Sequence, residues 1–354
     1  MFRKSILLIG LSIINLAVYA QDILPQAKGY VAYKVSQKPI IDGKLEESNW
    51  LAANWSSPFM DIQGTDFPIP NQLTQMKMLW DENFLYIGIL LKEKNIWATY
   101  SERESVIFHE NDIEIFIDPD GDTHNYYEIE VNALGTLWDL LLTKPYKNGG
   151  SPINGWNIND FEYAIHLDGT INDPSDVDDH WSIEMAIPWK SLSQSGPSYK
   201  APENGDQWRI NFSRVQWQIE PTANGYTKKI NPQTGKSYPE DNWVWSPMGL
   251  INMHLPERWG YVQFSNNQVG NGNQAFVMHA DEQIKNELRK LYNAEKAFFA
   301  IHGHYTDQLT ELNSNTPLSD VAIEATKSWF KISCPATSKD KYWYITEDSR
   351  IWKK

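Results

Sequence analysis

The sequence predicts a mainly β protein, an antiparallel β-sandwich followed by a small C-terminal α+β domain. Two observations carry this. From about Ile40 to Phe264, apolar and polar residues alternate in short runs broken by Gly, Pro, Asn or Asp, and no long amphipathic helix interrupts them. Past "FSNNQVGNGNQ" the period changes: "DEQIKNELRKLYNAEKAFFAIHG" places Ile284, Leu288, Leu291, Phe298 and Ile301 on one helical face, with Asp281 near the start and Gly303 just past the end.

The elements follow in order. "MFRKSILLIGLSIINLAVYA" joins a basic Arg3-Lys4 pair to an apolar stretch, with Val18 and Ala20 at small-residue positions. Residues 1–20 are therefore expected to be a signal peptide cleaved near Ala20, too short and wrongly flanked to span a membrane, leaving a secreted or periplasmic chain. "QLTQMKMLW" and "FLYIGILLKE" flank Asp81-Glu82-Asn83 and read as a hairpin. "DIEIFID" and "YYEIEVNAL" form the next pair, and "FEYAIHL", "HWSIEMAIP", "WRINFSRVQW" and "WGYVQF" supply further strands. Residues 146–160 and 220–241 are polar enough to be expected as loops. The sandwich is expected over 21–264, a linker over 265–280, and an α+β domain over 281–354 whose strands are "AIEATKSWFKI", "KYWYIT" and "RIWKK".

Bulk properties narrow the function. The formal charge is −14, and removal of Arg3 and Lys4 takes it to −16; with no cluster of Lys or Arg to offset it, nucleic acid is excluded as a partner. One cysteine, Cys334, excludes an internal disulfide framework and reads as a small buried hydrophobe. Sixteen Trp and 17 Tyr serve equally as sugar-stacking platforms and as core material for β-sheets, and most of the Trp are expected in the core.

Two constellations stand out. In "DPDGDTHN", Asp118, Asp120 and Asp122 alternate, so three carboxylates can converge within one turn as ligands for a structural calcium ion. The glycine falls at the fourth position, which excludes an EF-hand, and a solvated acidic turn is the competing reading. In "YYEIEVNAL", Glu128, Glu130 and Asn132 share one strand face, and Glu114 of the preceding strand can lie beside them. Such a face either reads sugar hydroxyls or is the solvated side of a sheet. Clustered like charges favour a bound cation, an Arg or a ligand. Glu110, Asp112, Glu114, Glu128 and Asp139 are too many acids for spacing to select the pair a glycoside hydrolase needs. There is no "GxSxG" and no "HExxH".

Taken together, "PIIDGKLEESNW", "MLWDENFLYIGILLKE", "NDIEIFIDPDGD", "YYEIEVNA", "WSIEMAIPW" and "WGYVQF" resemble the family 9 carbohydrate-binding module over about residues 31–264. The resemblance implies an immunoglobulin-like or DOMON-like β-sandwich, often calcium-stabilised, that binds a carbohydrate without catalysis and supports extracellular polysaccharide breakdown. It places the family's binding glutamate on Glu114 and its strand asparagine on Asn132. The family's arginine falls on Glu130, a reversed charge; its first clamping tryptophan falls on Phe108 and its second near Met253. With Arg103 and Trp97 added from the neighbouring "NIWATYSERE", the expected ligand contacts are Glu114, Glu130, Asn132, Arg103, Trp97 and Phe108, with Trp138, Trp156 and Trp245 as alternatives to Trp97 for rebuilding the clamp. Two alternatives remain: a hydrolase using a carboxylate pair, and a DOMON-type haem protein with Met253 or His254 as axial ligand.

Overall fold

The computed structural model describes residues 25–194 and 200–354, so the expected signal peptide lies outside the described residues. The first half of the sandwich comprises β1 (Gly29–Lys34), α1 (Ser48–Ala52), β2 (Met60–Asp61), β3 (Thr74–Trp80), β4 (Phe84–Lys92), β5 (Asp112–Asp118), β6 (Tyr126–Asn132), β7 (Leu137–Leu142) and β8 (Pro152–Ile153). Then come β9 (Glu162–Asp168), β10 (His180–Pro188), β11 (Gln207–Gln216), β12 (Ile219–Thr222), β13 (Gly225–Lys228), β14 (Asp241–Val244) and β15 (Gly260–Gln268). The strand order β8-β7-β6-β5-β11-β15-β1-β3-β4-β10-β9 folds over one apolar core, with β14 also paired to β11. Ile113, Ile115 and Ile129 come to that core from one layer, and Met76, Ile87 and Ile183 from the other. Period-two alternation in β5 and β6 thus puts their isoleucines inside and their acids on the opposite face.

The expected β3–β4 hairpin forms, and Asp81 closes its turn by accepting from Asn83 N at 2.7 Å and Phe84 N at 2.9 Å. Not every pairing is antiparallel. β1 runs parallel to both neighbours, with Tyr30 opposite Val262 and Tyr33 opposite Leu79. Long connections join β1 to β3 and to β15, so no tight turn forces it to reverse. The expected loop over 220–241 also holds structure, because β12 and β13 pair as a hairpin.

The "IDG" turn is anchored from across the fold. Glu184, on β10, accepts from Asp42 N at 2.8 Å, Gly43 N at 2.7 Å and the Trp50 indole N–H. Gly43 has φ +87°, and a side chain there would meet the backbone of Ile165 and His166 at 2.6 Å.

The C-terminal domain packs α2 (Glu282–His302) on the antiparallel strands β16 (Ala322–Ala325), β17 (Phe330–Pro335), β18 (Tyr342–Thr346) and β19 (Ile351–Lys353). Gly303 ends the helix in the left-handed region, and Cys334 is buried with Leu288, Leu291 and Ile332. The last sandwich strand continues to Gln268, beyond the expected boundary. The segment after it is bonded along the sandwich, Gln274 N to the Tyr33 hydroxyl at 2.6 Å and Val277 N to Gln263 Oε1 at 3.1 Å.

The domain then docks on the end of β5 and β6. Thr123 Oγ1 donates to Ser349 O at 3.1 Å, Asn148 Nδ2 to Asp348 O at 2.8 Å, and Glu282 accepts from Arg209 and Tyr261. Burial raises the Glu282 pKa, but the Lys285 and Arg209 cations overcome it and hold the carboxyl at about 2. A carboxyl depressed in the folded state stabilises above its unfolded value, and that contribution is lost as pH falls toward its folded value. The docked arrangement should therefore loosen between about pH 4.3 and 2. Small-angle scattering across that range should show the radius of gyration increase, and Glu282→Gln should already show the looser form at pH 5. An unchanged radius down to pH 2 would contradict the role given to Glu282.

Candidate functional site

The register of β5 against β6 sets the geometry of the acidic face. Glu114 lies opposite Glu130, Asp112 opposite Asn132, and Phe116 opposite Glu128. On the other flank of β5, Ser213 of β11 lies opposite Glu114. Two carboxylates facing each other on adjacent strands are unfavourable without compensation. Here the cost is larger because Asp112, Glu114, Glu128 and Glu130 are all buried. Among the described residues none of the four enters an ion pair. Burial, the dominant cause for each, pushes Glu114 up to about 8 and raises Asp112, Glu128 and Glu130 well above the usual carboxylate range; for those last three the neighbouring acids add to it.

Aromatic rings frame this face. Phe108, in a single turn before β5, is 37% exposed and stacks on Trp138 of β7 with ring centres 6.2 Å apart. Its backbone N–H donates to Glu130 Oε2 at 3.3 Å, which ties the ring to the acids. Trp217, just past β11, donates its indole N–H to Phe108 O at 2.9 Å and carries the Lys228 ammonium 3.2 Å above its ring. Tyr146 is exposed, and its hydroxyl is raised first by burial and then by Glu128 and Glu130. Sequence reasoning missed Tyr146 and Trp217 as rim residues: both lie outside the alternating strands that identified the acids.

Three of the expected contact residues come together, namely Glu114, Glu130 and Phe108. Asn132 shares their face but is 0% exposed, and its amide is fully used: Nδ2 donates to Tyr100 O at 2.8 Å and Glu110 Oε1 at 2.7 Å, while Oδ1 accepts from Leu134 N and Thr136 N. It shapes the β6–β7 turn. Arg103 is elsewhere, bonded to Asp139 and to Asn157 at 2.8 Å. Asp139 is opposite Ile129, a core residue, so Arg103 is held on the side of β7 away from Trp138. Trp97 is only 6% exposed, within a loop whose flanking N–H groups, Ile96 and Ala98, bond to Asp178 and Asn172. Arg103 does not reach the face as expected, and Trp97, between the core residues Ile96 and Ala98, offers little surface to a ligand.

The acidic turn converges as expected, one oxygen each of Asp118, Asp120 and Asp122 lying within 4.8 Å of the others. Its all-oxygen donor set fits a hard cation. The turn also holds itself. Asp118 accepts from Gly121 N at 3.0 Å and Thr123 N at 2.9 Å, and the Arg350 guanidinium reaches Asp122 at 2.8 Å. Met253, the second clamp position, is buried in the apolar cluster of Phe116, Tyr126 and Trp259. His254 Nδ1 bonds the Tyr126 hydroxyl at 3.0 Å, and its ring packs on Tyr146 and Phe116. The two axial-ligand candidates are thus engaged within the fold.

A family model described as carbohydrate family 9 binding domain-like matches residues 41–266. The chain belongs to that family. Endo-1,4-beta-xylanase A of Thermoanaerobacterium saccharolyticum is 26% identical over 217 residues, 59% of this chain and 16% of the enzyme. Exoglucanase XynX of Acetivibrio thermocellus is also 26% identical over 217 residues, 59% of this chain and 17% of the enzyme. The chain thus spans about a sixth of the length of these relatives. A crystal structure from Bacteroides uniformis aligns at 19% identity with a TM-score of 0.50, covering 68% of this chain and all of that one. That likeness shows a shared fold. The family 9 motifs map onto the structure as anchors, "IDG" with Trp50 on Glu184, and "EIFID" as the strand that carries Glu114.

Proposed function

We propose that the chain is an exported, non-catalytic carbohydrate-binding protein that supports extracellular polysaccharide breakdown through the face of β5, β6 and β7. The observation that carries this reading is the join between acids and rings: the Phe108 N–H on Glu130, with the Phe108 ring stacked on Trp138. Carboxylates accept from sugar hydroxyls, and rings cover the apolar face of a pyranose. The matched enzymes are a xylanase and an exoglucanase by name, which favours a β-1,4-linked xylan or glucan as ligand. A structural calcium at Asp118, Asp120 and Asp122 belongs to the same proposal, sharing the turn with Arg350.

A glycan array on the mature chain, run with calcium and with chelator, tests this reading. Binding to one class of β-linked glycan is expected, and silence in both runs would overturn it. Phe108→Ala should weaken binding about tenfold, roughly 1.4 kcal/mol, with little change in melting temperature because the ring is substantially exposed. Calorimetric titration with the array's best ligand measures it, and equal affinities would remove Phe108 from the site.

A further inference from the structure

The acids on this face converge more closely than a hydroxyl-reading surface requires. One carboxylate oxygen from each of Asp112, Glu114 and Glu130 lies within 4.8 Å of the other two. Two oxygens on opposite sides of a calcium ion, each about 2.4 Å away, are separated by about that distance. The three come from adjacent rigid strands, Asp112 and Glu114 two residues apart on β5 and Glu130 opposite Glu114 on β6.

A second observation points to a missing ligand. Asp112 is 1% exposed, and neither of its carboxylate oxygens has a partner at good hydrogen-bond geometry, the Val215 N–H on the paired strand being near enough only to favour the ionised form weakly against burial. Buried carboxylates are ordinarily paired or hydrogen-bonded, so an orphan on this scale calls for a partner. The acidic turn at Asp118 differs here: backbone N–H groups and Arg350 engage its carboxylates, whereas no Lys or Arg among the described residues pairs with Asp112, Glu114 or Glu130. An all-oxygen set with three carboxylates selects a hard divalent cation over a soft one.

We propose that Asp112, Glu114 and Glu130 form a binding site for a divalent cation of the calcium class, distinct from the Asp118–Asp122 turn. The site lies within the proposed sugar face, with which it shares Glu114 and Glu130, but it is tested separately, because cation binding is measurable with no glycan present. Calcium would offset two of the three ligand charges and place a Lewis-acidic centre beside Phe108.

The test is calorimetric titration of calcium chloride into the chelator-treated mature chain at pH 7.5. Wild type is compared with Asp112→Asn, Glu130→Gln and the turn variant Asp120→Asn. Asp112→Asn and Glu130→Gln should each lose, or weaken at least tenfold, a calcium-binding event that Asp120→Asn keeps. Two isosteric variants on different strands guard against a folding defect in one, and far-ultraviolet circular dichroism in chelator confirms the fold. Wild-type affinity and stoichiometry in both variants would overturn the proposal, as would an absence of calcium binding by the wild-type chain. Loss in Asp120→Asn alone would assign the only calcium to the turn and also overturn it.

Discussion

Glu184→Ala should lower the melting temperature of the sandwich by about 10 °C. The carboxylate of Glu184 is the common acceptor for three donors, Asp42 N, Gly43 N and the Trp50 indole N–H. Glu184 and Trp50 are completely buried, so water cannot replace the lost acceptor without opening the packing. Each buried donor left unsatisfied costs about 1–3 kcal/mol. Gly43 N and the Trp50 indole are buried whereas Asp42 is exposed, so two such donors give roughly 2–5 kcal/mol, and about 2–4 °C per kcal/mol applies to a domain of this size. Glu184→Gln keeps one side-chain oxygen and should cost about half as much. Differential scanning calorimetry of both variants checks the argument. A drop below about 3 °C for the alanine variant would mean that the turn carrying Gly43 is held by its other contacts.

That anchor also shows what a sequence displays and what it hides. "IDG", the following Trp50 and the strand "HWSIEMAIP" are each legible, but nothing local says that Glu184 of that strand closes on the "IDG" turn 141 residues away. Strands β3 to β6 were legible because alternation reports burial directly: one face of each meets the core and the other does not. The parallel placement of β1 was not, because period two is identical for either direction. The Arg350–Asp122 pair spans 228 residues, and no pattern within the acidic turn signals that a cation arrives from the final strand pair.

The site was legible to the same depth. Alternation put Glu114 and Glu130 on one face, and the register made them direct partners. Asp112 was available by the same rule, two residues before Glu114, yet among five acids nothing marked it as one whose carboxylate oxygens are both buried without a partner. Asn132 was placed on the correct face but assigned to a ligand, because the backbone groups that consume its amide come from the turn after β6 and the loop before β5. Arg103 was misplaced for another reason: its position follows the course of an irregular loop, and irregular backbone has no period from which to infer direction.

Glu130→Gln should stabilise the chain in chelator and fail to respond fully to calcium. The substitution is isosteric, and its side-chain oxygen can still accept from Phe108 N, so the contact that ties the ring to the face is kept. What disappears is one ionisable group among four buried acids. At pH 8.5, above the value of about 8 to which burial pushes Glu114, wild type without cation must ionise opposed carboxylates or retain protons against the solution. Relief of one such repulsion in a buried site amounts to about 2 kcal/mol, or roughly 4–8 °C in melting temperature. Calcium reverses the order. A ligand present at about 100 times its dissociation constant adds roughly 2.7 kcal/mol to the protein that binds it, and wild type receives that gain while the variant receives little. Wild type should therefore melt below the variant in chelator and above it in calcium. Two melting curves for each protein decide the point. A purely structural glutamate would make the variant less stable in both buffers, whereas a solvated acidic face would leave the two proteins equal in both. Only a cation held by the opposed strands makes the curves exchange places.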